Sequence, residues 1–106
     1  MWIFAKQGFI SVVVDRNNIN NCIVRARFIG HIKAIFPKAR VKETPEADYR
    51  FRATIKKEEV SRVVSEAVNN IDYTNFKNSL EEAKYHRACS TVWHDMYRIQ
   101  DETYGR

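Results

Sequence analysis

Residues 22–28 and 49–55 alternate between two faces, apolar on one and, apart from Ile23, polar on the other. In the first stretch Cys22, Val24, Ala26 and Phe28 oppose Ile23, Arg25 and Arg27; in the second Tyr49, Phe51, Ala53 and Ile55 oppose Arg50, Arg52 and Thr54. A period of two places alternate side chains on opposite faces of a strand, whereas a helix would scatter them around its axis. Both stretches are therefore expected to be half-buried strands. In one sheet with matching faces, Arg25, Arg27, Arg50 and Arg52 line the outer surface and the aliphatic residues line the core.

The N-terminus supplies further strands. Residues 2–6 and 9–14 are β-branched or aromatic, and Gln7-Gly8 between them predicts a two-residue hairpin turn. That turn sets Phe4 opposite Ser11 and Trp2 opposite Val13, leaving Ile3, Ala5, Ile10, Val12 and Val14 on the core face. Trp2, Phe4 and Phe9 would then share the arginine face. Residues 15–21, DRNNINN, are rich in turn formers and are expected to be a loop.

Residues 29–36 predict a short helix ended by Pro37, and residues 38–48 an irregular stretch with a short edge strand at 40–42. A helix opening at Thr54 or Lys56 carries Glu58 and Glu59 at its positive end and a Val60, Val63, Val64, Ala67, Val68 stripe. Asp72 or Thr74 is expected to cap the last helical segment, residues 75–100. There the stripe of Phe76, Leu80 and Ala83 changes phase to Tyr85, Cys89, Val92, Met96 and Ile99. The change predicts either a kink at 83–87 or a second apolar face that meets a partner chain. The fold class expected is α+β: a mainly antiparallel sheet of three to four strands packed against two or three helices, with a long C-terminal helix.

A chain of 106 residues fits one domain, here 1–106, and buries a core without disulfides. Its charge is unevenly spread. Residues 1–57 hold 12 Lys/Arg against 4 Asp/Glu, and residues 58–106 hold 6 against 9. A basic strand-rich half suits an anionic partner. Arginines beside exposed aromatic rings suit single-stranded nucleic acid, because cations follow the phosphates while rings stack on bases. Solvated arginines paired with Glu58, Glu59, Glu81 or Glu82 are the competing explanation.

Catalytic and metal chemistry find little support. Cys22 and Cys89 follow no metal or redox spacing and fit a reducing compartment. His86, Ser90 and His94 share a helix side, but Ser90 stands where a third metal ligand would be needed and sits mid-helix rather than on a nucleophile's exposed turn. Three glycines are too few for a phosphate cradle. No catalytic residue, metal or cofactor is expected. The N-terminus lacks the basic lead of a signal peptide and no apolar run approaches a membrane span, so the expected setting is cytoplasmic, away from membranes.

The segments WIF at 2–4, GFISVV at 8–13, ADYRFR at 47–52 and IDYTNFK at 71–77, with Tyr85-His86 ahead of Trp93, resemble a group of small bacterial and phage proteins. The resemblance brings no activity, cofactor or site residue. It implies a cytoplasmic, phage-type setting in which small proteins bind host machinery. Three functions are thus expected, in order. The first is a non-enzymatic binding module whose basic face (Arg25, Arg27, Arg50, Arg52, with Trp2 and Phe4) engages nucleic acid or a nucleoprotein. The second is a phage-type inhibitor or adaptor of a host protein, such as a CRISPR-Cas defence complex, docking through Tyr85, Cys89, Val92, Met96 and Ile99, or a homodimer through that stripe. The third is a small enzyme without a recognisable motif.

Overall fold

The computed structural model describes residues 1–105, which group into two compact units divided after Asp72. The first unit carries five strands: β1 (Trp2–Ala5), β2 (Gly8–Asp15), β3 (Asn18–Ala26), β4 (Lys42–Glu43) and β5 (Phe51–Lys56). It also carries helices α1 (His31–Ile35) and α2 (Lys57–Asn69). The second holds a 3-10 turn at Lys77–Ser79 and the 22-residue helix α3 (Ala83–Tyr104). The fold is α+β, with five strands rather than three or four.

All strand pairs are antiparallel, in the order β1-β2-β3-β5-β4. The aliphatic face packs as expected: Ile10, Cys22, Val24, Ala26, Phe51 and Ala53 are buried with Ile32 and Phe36 of the α1 region and Val60 of α2. Both helices of this unit thus cover the same face of the sheet. α1 stops where Pro37 denies the next helical bond. α2 opens with Glu58 and Glu59 in its first turn, where its unsatisfied N–H groups favour negative charge. Its stripe fades along its length, from buried Val60 to Val68 at 60% exposure.

Two hairpin expectations are corrected. Trp2 pairs with Ser11 and Phe4 with Phe9, so the turn is Lys6-Gln7 and the register sits two residues from the expected one. A shift of two keeps every side chain on its face, which is why Ile3, Ile10 and Val12 still meet the core, although Val14, also expected there, is 52% exposed. Residues 15–21 are not a loop. Asp15 pairs with Asn18 across Arg16-Asn17, and β3 starts at once. The Asp15 carboxylate accepts from the Asn17 N–H, and the Asn18 side chain from the Asn20 N–H. The run of Asn and Asp thus tightens a turn instead of loosening a loop.

His31 closes the sheet where β3 ends. The Phe9 N–H points towards β3, whose last residue is Ala26, and donates instead to His31 Nδ1 at 3.1 Å. The imidazole lies so close to the strand that a Cβ at Gly8 would meet His31 Cγ at 2.5 Å and His31 Cβ at 2.8 Å. Gly8→Ala is therefore expected to destabilise the fold by about 1–3 kcal/mol through overpacking. In a His31→Gly background that additional cost should largely vanish, a double-mutant cycle readable from urea denaturation midpoints.

Candidate functional site

The face opposite the helices of the first unit is built in rows. Trp2, Ser11, Arg25, Arg52 and Lys42 are successive register partners across all five strands. Phe4 and Phe9 form the neighbouring row, and Arg27 and Arg50 stand one residue beyond the ends of β3 and β5. The sheet thus brings Arg25 and Arg52, with Arg27 just past β3, and the aromatic residues Trp2, Phe4 and Phe9 to one face, whereas Arg50 precedes β5 and is bound by Glu43, the register partner of core-facing Phe51. Phe4 stacks on Phe9 with centroids 4.5 Å apart, and Trp2 meets Phe9 edge-on at 6.0 Å. Trp2 is 68% exposed.

Arg25 and Arg52 are the unusual pair. Thr44 N–H donates to the Arg50 carbonyl, so even residues of β5 direct their backbone groups towards β4. Arg25 and Arg52 therefore face each other as a pair without mutual backbone bonds, the type in which side chains stand closest. Like charges directly opposite are destabilising, and both arginines are half-buried. Arg25 Nη2 donates to Ser11 Oγ at 2.8 Å and Arg52 Nη2 to the Tyr49 carbonyl at 3.5 Å. Neither makes an ion pair among the described residues, and the Nε of each is buried with no hydrogen-bond partner.

For Arg25 and Arg27 a single aromatic ring takes the place of a carboxylate as support. Tyr49, expected to point into the aliphatic core, precedes β5 and lies instead against the arginine face. The Arg25 guanidinium stands 4.5 Å and that of Arg27 4.1 Å from its ring centroid. Tyr49 is 4% exposed and the electron-rich ring face partly offsets the two charges. Arg27 also donates to the Asp48 carbonyl at 2.8 Å. Arg50 differs: it is bound by Glu43 at 2.7 Å and has the least free charge of the four. Alternation sets Arg25 and Arg52 on a shared face but misplaces Tyr49, because a pattern read backwards from Phe51 takes no account of where the strand begins.

In the second unit the expected stripe divides. Tyr85 and Cys89 are buried, while Val92, Met96 and Ile99 are exposed, as are Trp93 and Tyr97, whose rings stack at 5.5 Å. α3 is helical without a break from Ala83 to Tyr104, and Phe76 and Leu80 precede it, so the phase change marks the helix start. Its cap is Glu82, which accepts from the Tyr85 N–H at 2.6 Å, rather than Asp72 or Thr74. Among the described residues no three His, Cys, Asp or Glu side chains converge to hold a metal ion, and no helix is long and apolar enough to cross a membrane. The chain matches no protein-family model, no curated protein and no solved structure.

The arginine face makes its own stability test. Tyr49→Ala is expected to cost about 3 kcal/mol and Ser11→Ala about 1 kcal/mol, whereas Tyr49→Phe, which keeps the ring beneath both guanidinium groups, should stay within about 0.5 kcal/mol. Urea denaturation reads all three. α3 supplies a pH test. Burial raises both the Cys89 thiol and the Tyr85 phenol, a hydrogen bond from Tyr85 partly offsetting the rise at Cys89. Groups raised in the folded state stabilise it below their unfolded values, about 8.5 for the thiol and about 10 for the phenol, and lose that contribution as pH climbs through the folded values. The denaturation midpoint is expected to fall between about pH 8.5 and 11, and less steeply in Cys89→Ala and Tyr85→Phe.

Proposed function

We propose that this protein is a non-enzymatic binding module that engages single-stranded nucleic acid, bare or within a nucleoprotein, through the arginine and aromatic face of its sheet. One observation carries the reading: Arg25 and Arg52 are held side by side, half-buried, with orphaned Nε groups and, among the described residues, no carboxylate partner. Partly desolvated cations so arranged are completed by an anion, and a phosphate diester supplies bridging acceptors for two neighbouring guanidinium groups. The row that holds them begins at exposed Trp2, with Phe4 and Phe9 beside it, so a strand whose phosphates follow Arg25, Arg27 and Arg52 has rings on which to lay its bases. The proposed setting is the cytoplasm.

A second reading, a phage-type adaptor or inhibitor that docks on a host protein through α3, is favoured by the exposed Val92, Met96 and Ile99 beside the Trp93–Tyr97 stack. A host protein captured as well by a Met96→Glu/Ile99→Glu chain as by the unaltered one would count against it.

Fluorescence anisotropy with a labelled 15-nucleotide single strand, across a salt series, tests the first reading. Arg25→Ala with Arg52→Ala is expected to weaken binding at least about tenfold and to reduce the salt slope by about 1 per arginine. Trp2→Ala should weaken it by about 1–3 kcal/mol with the slope unchanged. Arg62→Ala, on α2, should leave both unaltered. Absence of binding at about 50 mM salt overturns the proposal.

A further inference from the structure

The outer edge of β5 is only partly covered. β4 pairs with Phe51 and Arg52 and goes no further. Continuing the register would set Arg40 opposite Thr54, but Arg40 belongs to no strand. Like the other even residues of β5, Thr54 directs its N–H and C=O away from β3. These groups face an edge that β4 does not reach.

A groove of about 770 Å³ opens along that edge, between residues 37–40, the end of β5 and α2. Half-buried Ile35, Ile55 and Val63 contribute its apolar lining, and Lys38, Arg40 and Lys56 stand exposed around it. The two carboxylates of the groove, Glu59 and Glu66, are both bonded to Arg62. The hydrogen bond from Arg62 holds Glu59 below the usual carboxylate range, with a smaller contribution from the charge of Lys38. None of Lys38, Arg40 and Lys56 makes an ion pair among the described residues. The groove therefore offers apolar anchorage, an open strand edge and three cations without a bound carboxylate.

We propose that this groove takes an acidic, extended segment of a protein partner, which adds to β5 at Thr54 and sets its carboxylates against Lys38, Arg40 and Lys56. Main-chain bonds at a strand edge supply affinity in this mode, and alternate side chains supply selectivity: one set reaches the apolar lining and the other the cationic rim. A nucleic acid fits less well, since Glu59 and Glu66 line the groove and no aromatic ring beyond Phe36, which is buried, is available for stacking. The groove shares no lining residue with the row of Trp2, Ser11, Arg25, Arg52 and Lys42, so separate variants test the two surfaces.

Selection of phage-displayed random 12-residue peptides on the full chain, at about 50 mM salt to preserve charge attraction, tests the proposal. Enriched peptides are expected to alternate Asp or Glu with apolar residues. They should bind at least about tenfold more weakly to Lys38→Glu/Arg40→Glu/Lys56→Glu and retain affinity for Arg25→Ala/Arg52→Ala. N-methylation of alternate amides along one edge of an enriched peptide should abolish binding, and along the other edge should not. Should charge reversal unfold the chain, as circular dichroism would reveal, the neutral Lys38→Gln/Arg40→Gln/Lys56→Gln variant and the methylated peptides still decide. No enrichment, peptides poor in acidic residues, or binding indifferent to the rim or to methylation overturns it.

Discussion

Antiparallel pairing of β3 with β5 is the constraint on which the first unit depends. Six consecutive register pairs, from Asn21 with Lys56 to Ala26 with Phe51, join two strands that each alternate oily and polar residues. Antiparallel pairing sets like faces together, so Cys22, Val24, Ala26, Phe51 and Ala53 form the centre of the core in one step. The hydrophobic gain on that side holds the register, because a slip of one residue would bury arginine and expose aliphatic surface. The same pairing brings Arg25 against Arg52 on the other side. Charge repulsion between them is a consequence of core formation, tolerated because the core outweighs it.

How the molecule supports that repulsion distinguishes its arginines from ordinary surface charge. Arg62 and Arg98 lie between carboxylates on their own helices, an exposed arrangement worth little to stability. Arg25 and Arg27 instead lie over the Tyr49 ring, and Arg25 reaches buried Ser11. A ring and a hydroxyl position a guanidinium without neutralising it. The face therefore remains cationic where a carboxylate would have quenched it, and this property underlies the proposed affinity for phosphates.

The two sides of the sheet carry different chemistry for the same geometric reason. Both helices of the first unit join the aliphatic face, so the opposite face keeps its arginines and its Trp2, Phe4 and Phe9 cluster. The edge is a third environment. β4 is two residues long, and the chain leaves the β5 register before Thr54, which creates the groove beside α2. Short edge strands limit unwanted pairing between sheets, and what remains open here is flanked by Lys38, Arg40 and Lys56.

Much of this was legible in residue order. Alternation in 22–28 and 49–55 marked the two central strands, though the structure ends one at Ala26 and begins the other at Phe51; Pro37 marked the end of α1, and Glu58-Glu59 with the valine stripe α2. Face assignment also held through a wrong hairpin register, because two residues is a whole period of a strand. What alternation could not convey was where a strand begins or ends. Asn18 to Asn21 reads as loop by composition, yet pairing with neighbouring strands draws it into β3, since backbone bonds across a sheet outweigh weak local preference. Tyr49 continues the pattern of Phe51 but stands before the strand starts, so its ring turns to the arginines. The Thr54 edge follows from where β4 stops, and nothing within β5 encodes it. The sequence by itself determined which residues are oily and which are charged on each strand, because side-chain period is a local property of the backbone. Only tertiary structure decided which charges stand together and what supports them, because those contacts join strands far apart along the chain.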